Sequence, residues 1–467
     1  MPASLATDLK ALVKGAVADD NATREAKSTD FGRMLHRVPG VVVRPASADD
    51  VAAVIRYARK QAVPVATRGE AHTQTGQSLT DGGILLDLTA LDRIHRVDAA
   101  GGANGPSADC DAGVKWETLV KQVVPQGLIP PVLTNNLGVT LGGTLSVAGL
   151  GVASFRHGAQ GDNVTEIEAV TGAGDIVRCS PTTETDLWNG VRSGLGQFAV
   201  ITRARLKLRP CKKQSRTYYL LYDDITAIMR DMKMVIDEDR VDFLESWCVP
   251  CPQGFRWAGK TKEAFAAWFF PLHLSVEHDA AAPPDDAKVL QGLQPYRKMH
   301  VEDQDLLYFF TRLEPLFALW QRSGYWAGTH PWMETILPWP VAAPYITQVL
   351  ANLPPTALGG GHVLLWPCRG TTSSVPLFMT PSTPLVMGFG ILPGLPPDVL
   401  PLVKPRLNAA SDASMGVGGK RYLSGLIEFD RPRWKQHFGV LWDDVCRLKK
   451  TYDPDGILNP GFIDYGP

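Results

Sequence analysis

The chain has 467 residues, 45% of them hydrophobic and 20% charged, a globular composition long enough to bury more than one core. Lysine plus arginine number 47 against 48 for aspartate plus glutamate, so the net charge of −1 excludes a general attraction to nucleic acid or acidic membranes and points to a small-molecule partner. No apolar run approaches the roughly 20 residues that cross a bilayer and the start has no signal-like apolar stretch, so the chain reads as cytoplasmic with no membrane partner.

In chain order, Met1 to Arg33 spaces its apolar residues as an outer helix would, and Val41 to Pro45 reads as a short strand. Ser47 then caps a helix whose buried face is Val51, Val54, Ile55 and Ala58. Val63 to Thr67 follows as a strand that stops at a glycine. Further strands are expected over Gly83 to Leu88, Val164 to Val170, Ile176 to Arg178 and Val200 to Leu208, with helices such as Val114 to Gln122 and Glu184 to Trp188 between them. This mixture is α+β or α/β and closes at Arg209-Pro210-Cys211. From about Gln214 to Ser411 aromatics and prolines increase, and Glu277 to Asp286 reads as a surface loop of a second domain. The tail from Trp434 to Pro467 returns to a helix-then-turn pattern.

Seven cysteines, an odd number scattered along the chain, read as buried or free thiols rather than a disulfide framework. Cys248 and Cys251 form a lone Cys-x-x-Cys pair without a second ligand pair, which reads as two incidental thiols beside a turn proline. No His, Asp or Glu grouping has metal-ligand spacing, so no metal is expected.

The chemistry is concentrated in two stretches poor in bulky side chains. Thr67-Arg68-Gly69-Glu70-Ala71-His72-Thr73-Gln74-Thr75-Gly76-Gln77 directly follows a strand, and such a loop can present backbone N–H groups to a pyrophosphate. Val139 to Gly151 is the other, and its hydroxyls at Thr140, Thr144 and Ser146 could donate to phosphate or flavin oxygens. Neither is a Rossmann fingerprint, because no Gly-x-Gly-x-x-Gly opens a helix with an acid about twenty residues on. On composition alone both could be ordinary glycine-rich turns.

Their order and wording resemble the cofactor domain of the vanillyl-alcohol-oxidase and para-cresol-methylhydroxylase superfamily, and within it the cytokinin dehydrogenases. Arg68-Gly69, His72-Thr73 and Gly76-Gln77 match one family pattern, and Gly142 to Ser146 with Phe155 to Gly158 match another. Asn163-Val164, Gly194 to Phe198 and Val200 to Arg205 continue the likeness, as do His330-Pro331-Trp332, Trp434 to Gly439 and Asp453 to Gly461. The resemblance implies a two-part FAD-binding domain from residues 1–210 and 431–467, and a substrate domain from 211–430 with an antiparallel sheet covered by helices.

It also implies covalent FAD attached through His72. The implied cofactor contacts are Arg68, Gly69, Glu70, Ala71, Thr73, Gln77, Thr140, Gly142, Gly143, Ser146, Leu150, Ile201, Tyr422 and Asn459. A neutral imidazole suits the attachment, being nucleophilic near pH 7. His157 and His330 lie in family motifs, where either could orient backbone or pack. His36, His95, His273, His278, His300 and His362 read as ordinary histidines.

Three departures bear on catalysis. The family's proton-accepting aspartate, seven residues before the first glycine of Gly-Gly-Thr, is Asn135 here, and an amide cannot act as a base near neutral pH. Asn136 is not the cysteine that forms a second flavin bond in some relatives, so one covalent link is expected. After His330-Pro331-Trp332 the family's Leu-Asn is Met333-Glu334. Glu334 either faces the cavity and takes over part of the missing aspartate's work or points to solvent. Tyr422 matches a family tyrosine near the flavin. The leading expectation is an FAD-dependent oxidase or dehydrogenase, passing electrons to dioxygen or another acceptor. The alternatives are a cytokinin dehydrogenase with a relocated base, or a flavin-retaining binding or redox-sensing protein without turnover.

Overall fold

The computed structural model describes residues 4–102 and 105–466. Met1 to Ala3 of the expected N-terminal helix, and Pro467 of the tail, lie outside the described residues. The N-terminal stretch is not one helix: Ser4–Leu12 and Asn21–Ala26 are helical, with the strand Ala16–Ala18 between them. Asp50 explains the break, since its carboxylate accepts hydrogen bonds from the Lys14, Gly15 and Ala46 amides at 2.9, 2.8 and 2.8 Å. A Cβ on Gly15 would lie 2.1 Å from the Arg44 carbonyl oxygen, so only glycine lets the two segments approach.

Ala16–Ala18, Val41–Arg44, Ile84–Asp87 and Val65–Arg68 form one sheet in that spatial order, and the last three strands are parallel. Parallel neighbours need a crossover. The helix Ala48–Gln61 supplies one, with Ser47 accepting from the Asp50 amide at its start. Its Val51, Val54, Ile55 and Ala58 pack with Val41, Val43, Ile84 and Leu86 in one apolar cluster.

A second sheet is antiparallel throughout, ordered Ile94–Asp98, Ser107–Asp111, Ala199–Lys207, Val164–Thr171, Ile176–Cys179. The short polar runs of its first two strands hid them from the sequence reading. The helix expected from Val114 begins at Trp116, because the Val114 amide turns back to the Asp111 carbonyl.

The third sheet has eight antiparallel strands, ordered Arg297–Asp305, Gln214–Tyr222, Thr261–His278, Phe243–Ala258, His362–Arg369, Leu385–Leu392, Met333–Pro338, Lys420–Arg421. Residues of the helices Ile225–Asp237, Trp339–Ala351 and Leu400–Gly416 pack with its Tyr218, Leu272, Leu274 and Phe389 in the largest apolar cluster. The expected loop at Glu277 to Asp286 is shorter, because Glu277 and His278 finish a strand and pair with Ser215 and Gln214. Ion pairing of Glu277 with Arg209 and a hydrogen bond from the Lys212 amide hold that strand end. Cys248 and Cys251 lie within the long strand Phe243–Ala258, not beside a turn.

The C-terminal helices Arg431–Phe438 and Trp442–Tyr452 lead the chain back to the first sheet. There the Val65 amide donates to the Ile457 carbonyl and the Asn459 amide to the Val65 carbonyl, both at 2.8 Å. Buried Lys449 locks the return by donating to the Gln197 carbonyl, Asp453 and the Leu458 carbonyl at 2.9, 2.7 and 2.9 Å.

Candidate active site

A cavity of about 480 Å³ is walled by the first two sheets, the returning tail and the large sheet. Every site residue singled out from the sequence lies on its wall. Arg68 to Thr73 and Gln77 come from the loop after the strand Val65–Arg68, whereas Thr140, Gly142, Gly143, Ser146 and Leu150 come from the helix Leu141–Leu145 and its flanks. Ile201 comes from the strand Ala199–Lys207, Asn459 from the tail, and Asn135, Glu334 and Tyr422 complete the set.

The loop is clamped by residues 27–32. Arg68 donates to the Thr29 and Lys27 carbonyls at 2.9 and 3.3 Å. Asp30 accepts from the Gly76 amide at 2.8 Å and from the Thr73 hydroxyl at 3.0 Å. The Phe31 amide donates to the Ala71 carbonyl and the Gly32 amide to the Thr73 carbonyl, both at 2.9 Å. Ala71 is held at φ 52°, a left-handed conformation costing an alanine about 1–2 kcal/mol, so these bonds over-determine the loop beside His72. Glu70 pairs with Lys115 at 3.0 Å.

His72 keeps part of its surface open to the cavity, while the protein packed around it desolvates the ring and pushes its pKa down to about 4. The imidazole is therefore neutral and nucleophilic at physiological pH. It stacks on Phe31, with centroids 4.1 Å apart.

The small-residue stretch differs from expectation in one respect. The Leu141 and Gly142 amides donate to the Val114 and Ala112 carbonyls at 2.9 and 2.8 Å, so they are not offered to an anion. The Thr144 and Ser146 hydroxyls donate to the Leu141 and Gly142 carbonyls, and the Thr73 hydroxyl to Asp30, which spends their protons within the protein. Smallness matters more than the hydroxyls. A Cβ at Gly69 would meet the Thr140 hydroxyl at 2.2 Å, and one at Gly143 would meet only that hydroxyl, at 3.0 Å. The result is a cavity whose wall is kept low by Gly69 and Gly143 and carries a neutral imidazole, which fits a flavin dinucleotide.

Glu334, on the same wall, is 7% exposed. The Ser424 hydroxyl donates to its carboxylate at 2.5 Å, while Arg421 and the Tyr422 amide donate to its carbonyl at 2.8 and 3.1 Å. Burial raises the carboxyl from 4.5 to about 7, with Ser424 and Arg421 opposing the rise. Burial, and next the Glu334 charge, also raise the Tyr422 phenol well above its ordinary value.

Several wall residues were not found from sequence. Burial alone would raise Glu245, but Arg312 and His273 outweigh it and hold the carboxyl down at about 2. His362, read as ordinary, is on the wall, stacked on Trp320 at 5.5 Å, with its pKa pushed down to about 4 by burial. Trp247, Trp326, Ser424 and Phe31 join them. They come from separated segments, and nothing local in the sequence sets them apart. His330 stacks on Phe31 and donates from Nδ1 to the Phe31 carbonyl at 3.0 Å, behind the wall, and His157 is not on the wall either. Among the described residues no group of three or more His, Cys, Asp or Glu could hold a metal ion.

Comparison with known proteins agrees with this geometry. Residues 39–180 match the FAD binding domain family, and residues 277–463 match the family described as cytokinin dehydrogenase 1, FAD and cytokinin binding. The chain is an FAD-dependent oxidoreductase. It is 32% identical to cytokinin dehydrogenase 6 of Oryza sativa subsp. japonica over 95% of this chain and 90% of that protein. It is 29% identical to an uncharacterized oxidoreductase, ORF5 in the fasciation locus of Rhodococcoides fascians, over 95% and 97%. Cytokinin dehydrogenase 4 of Arabidopsis thaliana is likewise 29% identical, over 95% and 91%. The chain belongs to the cytokinin dehydrogenase family.

Proposed function

We propose that this chain holds FAD covalently through His72 and oxidises a C–H bond next to nitrogen or oxygen in a small substrate, with Glu334 as the proton acceptor. The observation that carries this reading is the Glu334 carboxyl, on the wall of the His72 cavity and pushed up to about 7, where general-base efficiency is greatest near neutral pH. FAD, when bound, supplies the hydride acceptor. Glu334 takes the proton of the substrate amine or alcohol, and Ser424 steadies the carboxylate through its 2.5 Å hydrogen bond. Asn135 offers a hydrogen-bonding amide without basicity. Trp247, Trp326 and Trp332 make the surrounding wall apolar and limit water.

In this reading residues 1–210 and 431–467 form an FAD unit of the vanillyl-alcohol-oxidase type, and 211–430 the substrate unit. The return of the tail to Val65 supports the two-part arrangement. The electrons leave to dioxygen or another small oxidant. All seven cysteines are free thiols, which supports a cytoplasmic setting. Relatives named as cytokinin dehydrogenases favour a second reading, cytokinin oxidation with Glu334 as the relocated base.

The test is anaerobic mixing of the holoprotein with a panel of amines, alcohols and isopentenyl-type cytokinins, following loss of the oxidised-flavin absorbance. Bleaching by one substrate class identifies the reaction. Flavin that stays oxidised with every compound, although ligands bind, favours a redox-sensing or binding role instead.

A further inference from the structure

His72, Phe31 and His330 stand in a row. Each imidazole centroid is 4.1 Å from the phenyl centroid and each pair of rings is 18° from parallel. Two imidazoles so placed on one face would overlap, so they occupy opposite faces of Phe31. Trp326 and Trp332 close the phenyl ring in from its sides, with centroids at 5.0 and 5.1 Å in edge-on geometry. The backbone is as tightly held as the ring: the Phe31 amide donates to the Ala71 carbonyl, and the Phe31 carbonyl accepts from His330 Nδ1 at 3.0 Å. The His330 amide donates to the Gly32 carbonyl at 3.0 Å. Phe31 thus ties the loop that carries His72 to the segment that carries His330.

The consequence falls on the His72 ring. An imidazole turns about a broad, soft torsion unless something fixes its plane, and a flat ring stacked on one face does so. Trp332 and Trp326 pack beside the same imidazole, with centroids at 5.3 and 6.2 Å, and the ring keeps part of its surface on the cavity wall.

We propose that Phe31 is a positioning residue for flavin attachment, holding the His72 imidazole in the plane from which its nitrogen bonds to the flavin 8-methyl carbon. This rests on His72 being the attachment point. In the attachment the imidazole lone pair forms the N–C bond, and one proton leaves the methyl carbon and one the imidazole. The flavin is left two electrons richer, and dioxygen takes those electrons with two protons as hydrogen peroxide. A single stacking contact of this kind is worth up to about tenfold in a rate that depends on ring orientation.

The experiment uses full-length chain made in flavin-starved cells, then given FAD in aerated buffer. Samples are denatured over time, and covalent flavin is read as fluorescence of the protein band on a denaturing gel. Melting temperature and affinity for FAD before attachment are measured alongside. Phe31→Leu is expected to attach flavin about tenfold more slowly at near-unchanged FAD affinity, and Phe31→Tyr, which restores the stacked ring, at the wild-type rate. Should Phe31→Leu not fold, Phe31→Met serves as the non-aromatic variant. Attachment by the non-aromatic variant at the wild-type rate overturns the proposal, as does equal slowing by the leucine and tyrosine variants. A wild-type chain that releases all its flavin on denaturation refutes the His72 assignment itself, a result distinct from either.

Discussion

Replacing Glu334 by glutamine probes both the proton acceptor and the cost of keeping it buried. The carboxyl is 7% exposed, and its pKa stands at about 7 against 4.5 in the unfolded chain. The fold therefore binds the proton more tightly than the unfolded chain does. The stabilisation from this residue is fully present below pH 4.5 and is lost as pH rises through about 7. At about 1.4 kcal/mol per pH unit, the loss at pH 8 amounts to roughly 3 kcal/mol. Glu334→Gln carries no ionisation to lose. Its melting temperature should match wild type near pH 4 and exceed it by several degrees at pH 8, at roughly 2–4 °C per kcal/mol for domains of this size. Activity should move the other way. Flavin reduction under anaerobic stopped-flow conditions at pH 8 should fall by about two to four orders of magnitude. In the wild type that rate should decline about tenfold per unit of pH below 7. A role as counter-ion to a cationic substrate would instead appear as weakened affinity. If the variant leaves flavin reduction, substrate affinity and the pH dependence of melting all unchanged, Glu334 has no part in the chemistry and the reasoning fails.

Four further outcomes are expected. His72→Ala should lose the flavin that survives denaturation while still binding some FAD, and acid precipitation of the wild type decides the matter, since full release of its flavin contradicts a covalent bond. Ser424→Ala removes a hydrogen bond to the ionised carboxylate, worth about 1.5–3 kcal/mol, so the pH midpoint of flavin reduction should rise by about one to two units; an unmoved midpoint dissociates Ser424 from the base. Gly143→Val should fold yet hold less FAD, because its side chain faces the cavity, whereas Gly142→Val should lower the melting temperature, because a Cβ there comes within 2.8 Å of the Ala112 methyl; the reverse pattern would disprove the placement. Isopentenyl-type cytokinins should be turned over weakly and Asn135→Asp should improve them, so efficient oxidation by the wild type would show that position 135 does not govern the substrate.

How much of this was legible depends on the range of the signal. Ser47 ahead of Val51, Val54, Ile55 and Ala58 announces a capped, one-faced helix, because cap and periodicity are local. The run around His72 and the run from Gly142 to Ser146 are continuous segments, and all the residues taken from them line one cavity. That these segments share one cavity wall was therefore readable, as was the mixture of helix and strand. What the stretches lacked was the use of their polar atoms: the Ser146 and Thr73 hydroxyls turned to neighbours whose proximity no local pattern records.

The part of the wall that carries Glu334 was decided in tertiary structure. Alternation along Met333–Pro338 cannot say which face meets the cavity, and every residue from Met333 to Leu337 is buried. Only pairing with Leu385–Leu392 and Lys420–Arg421 brings Glu334 to Ser424. Glu245 meets Arg312, Phe31 lies between His72 and His330, and Leu458 returns to Val65 across most of the chain. Sequence by itself determined the elements with strong local caps and periodicity and the FAD-binding motifs, since those follow from the spacing of neighbouring residues along the backbone. Sheet register and chain closure decided which acid reaches the cavity and which ring stacks on the histidine, because such contacts are chosen by the packing of whole layers and leave no mark in local spacing.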